Sequence, residues 1–147
     1  MSALIGRYEH SLDPKNRLFV PSRYRDQLAT EGGKHFYLAM GLDRCLYLFL
    51  PSQWEQFVSE VRNYKFKTPQ EKRAVLRKMF PKAADAPMDD QGRILVPQAL
   101  KEHAGLSKDV TVLGTGTRAE LWDSPSLAAK EKSEAKDFQK VFASLDL

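Results

Sequence analysis

The nine residues from Asp13 to Pro21, DPKNRLFVP, return as DDQGRILVP from Asp89 to Pro97, with Asp, Arg, Val and Pro at matching places and apolar residues between them. This chain contains one structural unit twice. A duplication constrains the fold more than composition does, because two copies on one polypeptide can build a pseudo-symmetric body and present two equivalent turns together. At 147 residues the chain has room for two small halves around a shared core, but not for two large independent domains.

Each motif opens with a turn. Asp13-Pro14-Lys15-Asn16 and Asp89-Asp90-Gln91-Gly92 both begin with an aspartate, whose carboxylate bonds the backbone two residues on, and Pro14 presets the dihedral wanted at the second place. The fourth place calls for a left-handed residue, which Gly92 accepts freely and Asn16 tolerates. Each motif is therefore expected to be a hairpin tip, with strands over Arg7 to Leu12 and Ala84 to Met88 leading in, and over Arg17 to Val20 and Arg93 to Val96 leading out. Pro87 argues for an edge position, and Pro21 and Pro97 end the outgoing strands.

Beyond the prolines the copies continue alike. Short helices are expected over Ser22 to Leu28 and Gln98 to His103, the second closed by Gly105, and strands over Phe36 to Met40 and Val110 to Leu113. Gly41 then matches Gly116, Leu46 matches Leu121, and Tyr47 matches Trp122. Three longer helices complete the chain. One carries Trp54, Phe57, Val58 and Val61 at helical spacing; one spans about Gln70 to Phe80 after a Thr68-Pro69 cap; the last carries Phe138, Val141, Phe142 and Leu145. Such apolar stripes are expected to close over their own half's sheet, the alternative being contact with a neighbouring subunit.

Composition narrows the class. With 42% hydrophobic and 29% charged residues, the chain is neither disordered nor membrane-embedded, and 23 Lys and Arg against 19 acids give a formal +4 that favours polyanions where the positive side chains cluster. Cys45 stands alone, so neither an intrachain disulfide nor a cysteine-based zinc site can form. His10, His35 and His103 lack metal-ligand spacing. No metal or cofactor is expected, and the short apolar run near the start is far from a signal-peptide core, so the expected place is the cytoplasm with no membrane attachment.

Two Asp-x-x-x-Arg motifs, each running into apolar-apolar-Val-Pro, resemble the MraZ family of bacterial transcriptional regulators, which belongs with the AbrB-like swapped-hairpin DNA-binding proteins. The resemblance covers nearly the whole chain. It implies an α+β fold in which two tandem repeats, 1–80 and 81–147, share one core as an interleaved double swapped-hairpin β-barrel with added helices. It further implies a ring-shaped homo-oligomer that binds double-stranded DNA at short direct repeats upstream of its own operon. The protein would then be a nucleoid-associated repressor of the division and cell wall gene cluster, its own gene included.

The family's motif positions fall on Asp13, Arg17, Asp89 and Arg93, with Lys15 in the basic place of the first copy and Asn16 where glycine is usual. The aspartates read as structural, because a carboxylate facing phosphate repels it. Lys15 and Arg17 lead the expected DNA contacts, joined by Arg93 and by the flanking Arg7, Arg23 and Arg25. Asp13, Lys15 and Arg17 sum to +1 against −1 for Asp89, Asp90 and Arg93, so the first copy is expected to lead. The basic run from Lys65 to Lys82 reads as a solvated helix face or as a further DNA contact. Two other classes fit parts of the pattern: a ring-forming protein scaffold, and an aspartic-protease-like hydrolase built on the two aspartates. The hydrolase lacks the Asp-Thr-Gly or Asp-Ser-Gly loop.

Overall fold

Both copies of the motif fold alike in the computed structural model, which describes residues 2–147; Met1, where the expected first repeat begins, lies outside the described residues. The first half contains β1 (Arg7–Ser11), β2 (Arg17–Phe19), α1 (Ser22–Thr30), β3 (His35–Met40), β4 (Leu46–Phe49), α2 (Pro51–Asn63) and α3 (Pro69–Met79). The second contains β5 (Ala84–Pro87), β6 (Arg93–Leu95), α4 (Gln98–Ala104), β7 (Asp109–Gly114), β8 (Ala119–Asp123) and α5 (Ser124–Ser144). The class is mixed α+β, with antiparallel pairing between the strands.

Local chemistry sets the helix ends. Thr68 Oγ1 accepts from the Glu71 amide at 3.0 Å and Pro69 occupies the first turn of α3, so this helix starts where the cap-plus-proline signal places it. Gly105 closes α4 with a left-handed φ of 59°. Asp123 caps α5 by accepting from the Ser126 amide and hydroxyl, and from Ser107. Burial pushes its carboxyl up, yet these donors outweigh burial and hold it below the usual range.

The strands form a six-stranded sheet in the order β1-β7-β8-β4-β3-β5 and a two-stranded ribbon of β2 and β6. Four ladders join one half to the other: β1 with β7, β5 with β3, β4 with β8, and β2 with β6. The expected tips therefore form, but the strands leaving them do not zip together. Asp13 and Arg17 close the first turn, after which the Leu12 amide bonds to Lys108 O and the Val20 amide to Gly92 O, both in the other half. Leu12, Leu18 and Val20 are all buried, and cross-half pairing places them in one core with Ile94, Val96, Leu100, Val110 and Val112. β5 lies at the sheet edge, where Pro87 needs no ladder donor.

An internal two-fold axis follows from the register. Leu18 faces Ile94, its own counterpart one repeat on. Tyr8 pairs with Val112 and Ala84 with Leu38, which makes Leu38 and Val112 counterparts; their partners Leu48 and Leu121 then correspond as well. This corrects the expected matches. Leu46 and Leu121 are ladder partners across the axis rather than equivalents, and Trp122 corresponds to Phe49 rather than Tyr47. A shift of two residues preserves the in-out alternation of a strand, so an apolar match alone does not reveal it.

The first apolar helix covers its own half as expected. Trp54 stacks on Tyr37 with ring centroids 5.3 Å apart, Phe57 packs on Phe49 at 4.8 Å, and Arg118 lies over Tyr47 at 4.5 Å. The last does not. Leu127 near the start of α5 is buried beside Trp122 and Cys45, but the helix is exposed from Glu131 onward, including Phe138, Val141, Phe142 and Leu145. No helix among the described residues is long and apolar enough to cross a membrane.

Candidate nucleic-acid interface

The two Asp-x-x-x-Arg turns have the same internal wiring. Asp13 Oδ1 accepts from the amides of Lys15 at 2.9 Å and Arg17 at 2.8 Å, and Oδ2 accepts from Arg17 Nε at 2.8 Å. In the second copy Asp89 Oδ1 accepts from the amides of Gln91 and Arg93, and Oδ2 from Arg93 Nε at 2.8 Å. Asn16 and Gly92 take left-handed φ values of 63° and 81°. The arginine's backbone N–H is the largest influence in each copy, and with the side-chain donor it holds both carboxyls below their usual range. Each aspartate forms its turn and aims its own arginine through Nε.

Folding brings the two turns into one cluster. Arg93 Nη1 lies 3.7 Å from Asp13 Oδ2, so the second-copy arginine also approaches the first-copy aspartate. The Val20 amide donates to Gly92 O at 3.0 Å and the Val96 amide to Asn16 O at 2.8 Å, the same bond made twice about the axis. Each turn is then braced by the other half's helix. Arg25 of α1 donates to Val20 O and lies over Gly92, where an added Cβ would come 2.8 Å from its Nη1; Lys101 of α4 donates to Asn16 Oδ1 at 2.9 Å.

The ribbon of β2 and β6 carries this cluster on its outer surface. Leu18 and Ile94 point inward and are buried, so Arg17, Phe19, Arg93 and Leu95 face outward, with Arg17 opposite Leu95 and Phe19 opposite Arg93. The Arg93 guanidinium stacks over the Phe19 ring at 5.8 Å. Lys15 projects from the first turn and is exposed. Lys15, Arg17, Arg25, Arg93 and Lys101 give five positive charges against three from Asp13, Asp89 and Asp90. The expected inequality between the turns is thus set inside a single cationic cluster.

Lys101 was not among the candidates. Its signal was present, since Lys101 stands one repeat length after Arg25, but only the bond to Asn16 turns that spacing into a contact. The flanking arginines divide. Arg25 joins the cluster, and Arg23 is exposed on the first turn of α1 without an ion pair among the described residues. Arg7 does not join. It sits at the far end of β1, about 20 Å of extended chain before Asp13, and is held by Glu131 at 3.0 Å and Glu9 at 3.5 Å.

Such an architecture, an internally duplicated antiparallel α+β chain that displays paired acid-arginine turns on a two-stranded ribbon, defines a class of two-repeat proteins. A family model for the MraZ protein matches this sequence twice, over residues 3–78 and again over 79–145, and the chain belongs to the MraZ family. The transcriptional regulator MraZ of Acetivibrio thermocellus is 39% identical over 145 residues, covering 97% of this chain and 98% of that one. That of Heliobacterium modesticaldum is 37% identical, covering 93% and 92%, and that of Carboxydothermus hydrogenoformans is 40% identical, covering 80% and 79%. The family is one of transcriptional regulators and not of enzymes, which removes the hydrolase alternative. The wiring agrees, because a shared-proton pair needs a carboxyl pushed up and both are held down.

Proposed function

We propose that this protein regulates transcription by gripping duplex DNA with the outer face of the β2–β6 ribbon and the turns at its ends. One observation carries the reading: two arginines, each aimed by its own aspartate, meet about an internal axis beside the exposed Lys15. A two-stranded ribbon fits the width of the major groove, and arginine forks onto guanine edges or phosphate oxygens. In this reading Lys15, Arg17 and Arg93 make the leading contacts, with Arg23, Arg25 and Lys101 on phosphates, and Arg7 is reassigned to holding α5.

The two repeats, 1–80 and 81–147, act as one interleaved swapped-hairpin barrel, which the four cross-half ladders support. Several copies join in a ring on the nucleoid. The targets are short direct repeats upstream of the protein's own operon, where binding represses the division and cell wall cluster. A single cluster of modest net charge binds weakly, and a ring raises the hold by presenting several clusters along one duplex.

The test is a footprint and gel shift on DNA upstream of the protein's own gene. The wild type is expected to protect evenly spaced short boxes, and Lys15→Glu with Arg17→Glu to lose the shift without changing the oligomer's mass. An unchanged shift in that variant overturns the site.

A further inference from the structure

β4 and β8 are antiparallel neighbours at the centre of the sheet, so the helices that follow them leave from opposite ends. The first half contributes the α2–α3 pair and the second half contributes α5. These helical additions differ in kind although their anchoring strands are related by the internal axis. One presents a groove. Val58, Arg62, Lys72, Leu76 and Phe80 line an open hollow of about 180 Å³ between α2 and α3, apolar at its floor and cationic at its rim.

The other presents a stripe that fits it. Phe138, Val141, Phe142 and Leu145 recur at intervals of three and four, and each is more than half exposed. The same face continues toward the start of α5 through Glu134 and Glu131 to the buried Leu127, whereas Lys132, Lys136 and Lys140 fall on the opposite face. The apolar stripe is therefore flanked by acid on its own side. That matches a hollow rimmed by Arg62 and Lys72.

From this complementarity, and resting on the ring assembly proposed above, we infer that the exposed end of α5 docks into the α2–α3 groove of a second copy of this chain. Groove and stripe leave the sheet from opposite ends, so each copy offers one of each to a different neighbour. That contact is head to tail, and a head-to-tail contact repeated with a closing rotation builds a ring of the kind proposed above. Part of the basic run from Lys65 to Lys82 thereby receives a protein partner. Arg62 and Lys72 meet Glu134 of the neighbouring copy, while the residues of that run facing away from the groove stay solvated.

Two variants of the full chain test the contact. Phe142→Asp removes the stripe and leaves the groove; Leu76→Asp removes the groove and leaves the stripe. By light scattering after size exclusion, each alone is expected to run at the mass of one subunit, with circular dichroism unchanged for Phe142→Asp, whose side chain is outside the core. Mixed in equal amounts, they are expected to give a two-subunit species and nothing larger, because one intact groove meets one intact stripe and the chain of contacts stops there. A Phe142→Asp protein that keeps the wild-type oligomer mass overturns this interface while leaving the ring itself standing. A mixture that stays monomeric, while crosslinking shows the α5 stripe bound elsewhere, overturns it too. A wild type that is itself monomeric removes the ring reading, and this inference with it.

Discussion

Asn16 and Gly92 occupy the same left-handed position in the two turns, and the difference between them is explained by what lies beside each. Gly92 is covered by the Arg25 guanidinium, which would have to shift to admit a Cβ, whereas Asn16 faces Lys101 and Gln98 and uses its amide to bond both. Asn16→Gly eases the backbone but gives up those bonds, and is expected to change unfolding free energy by less than about 1 kcal/mol. Asn16→Val forces a β-branched residue into the same region and is expected to lower it by about 1–2 kcal/mol, read from urea midpoints at constant slope. The aspartates carry a pH signature. Because their folded carboxyls lie below the unfolded value of about 3.9, their contribution is complete above that value and is lost as pH falls through the lower folded one. Wild type and the Asp13→Asn, Asp89→Asn double variant should therefore differ in thermal midpoint at pH 7 and converge as the pH drops below the ordinary carboxylate range. A gap that persists in strong acid would show that the carboxylate charge is not what holds the turns.

The β2–β6 ribbon has only three residues per strand, and it persists because Leu18 and Ile94 insert into the common core while the tip amides and carbonyls bond across the axis. Leu18→Ala and Ile94→Ala are each expected to lose about 2–5 kcal/mol. Since the two side chains are partners across one ladder and share one cavity when truncated, the double variant should depart from the sum of the singles; strict additivity would mean that the ribbon halves are anchored independently. Elements of this kind were legible in the residues. Asp at a turn, proline after a short apolar strand, Thr68-Pro69 before α3 and Gly105 after α4 each act within a few positions of themselves, and the elements fall where those signals place them. What the residues did not reveal was which strand pairs with which. β1 and β2 are joined by a tight turn yet belong to different ladders, because the partner is chosen by burial in a core that both halves build. The fate of α5 was hidden for the same reason: its apolar spacing says that one face needs covering, but not that the sheet runs out before Phe138.

At the scale of the whole molecule, the internal axis makes one chain behave like a dimer fused end to end, with its two turns joined on a single cationic ribbon. This changes how binding should respond to salt. Every phosphate neutralised by a lysine or arginine releases counterions, and each contributes about −0.9 to the slope of log K against log salt on B-form DNA. If several subunits present their ribbons to one duplex, the wild type should show a slope several times that of a single contact. Lys15→Gln, which removes one exposed charge per subunit without touching the turn's hydrogen bonds, should then shallow the slope by about 0.9 for each subunit engaged. Arg7→Gln should leave it unchanged, since that guanidinium is committed to Glu131 and Glu9 at the other end of β1. The ratio of the Lys15→Gln change to 0.9 counts the ribbons on the DNA. A slope near zero in the wild type would instead favour the scaffold class, in which the cationic cluster serves an acidic protein partner and releases few ions on binding.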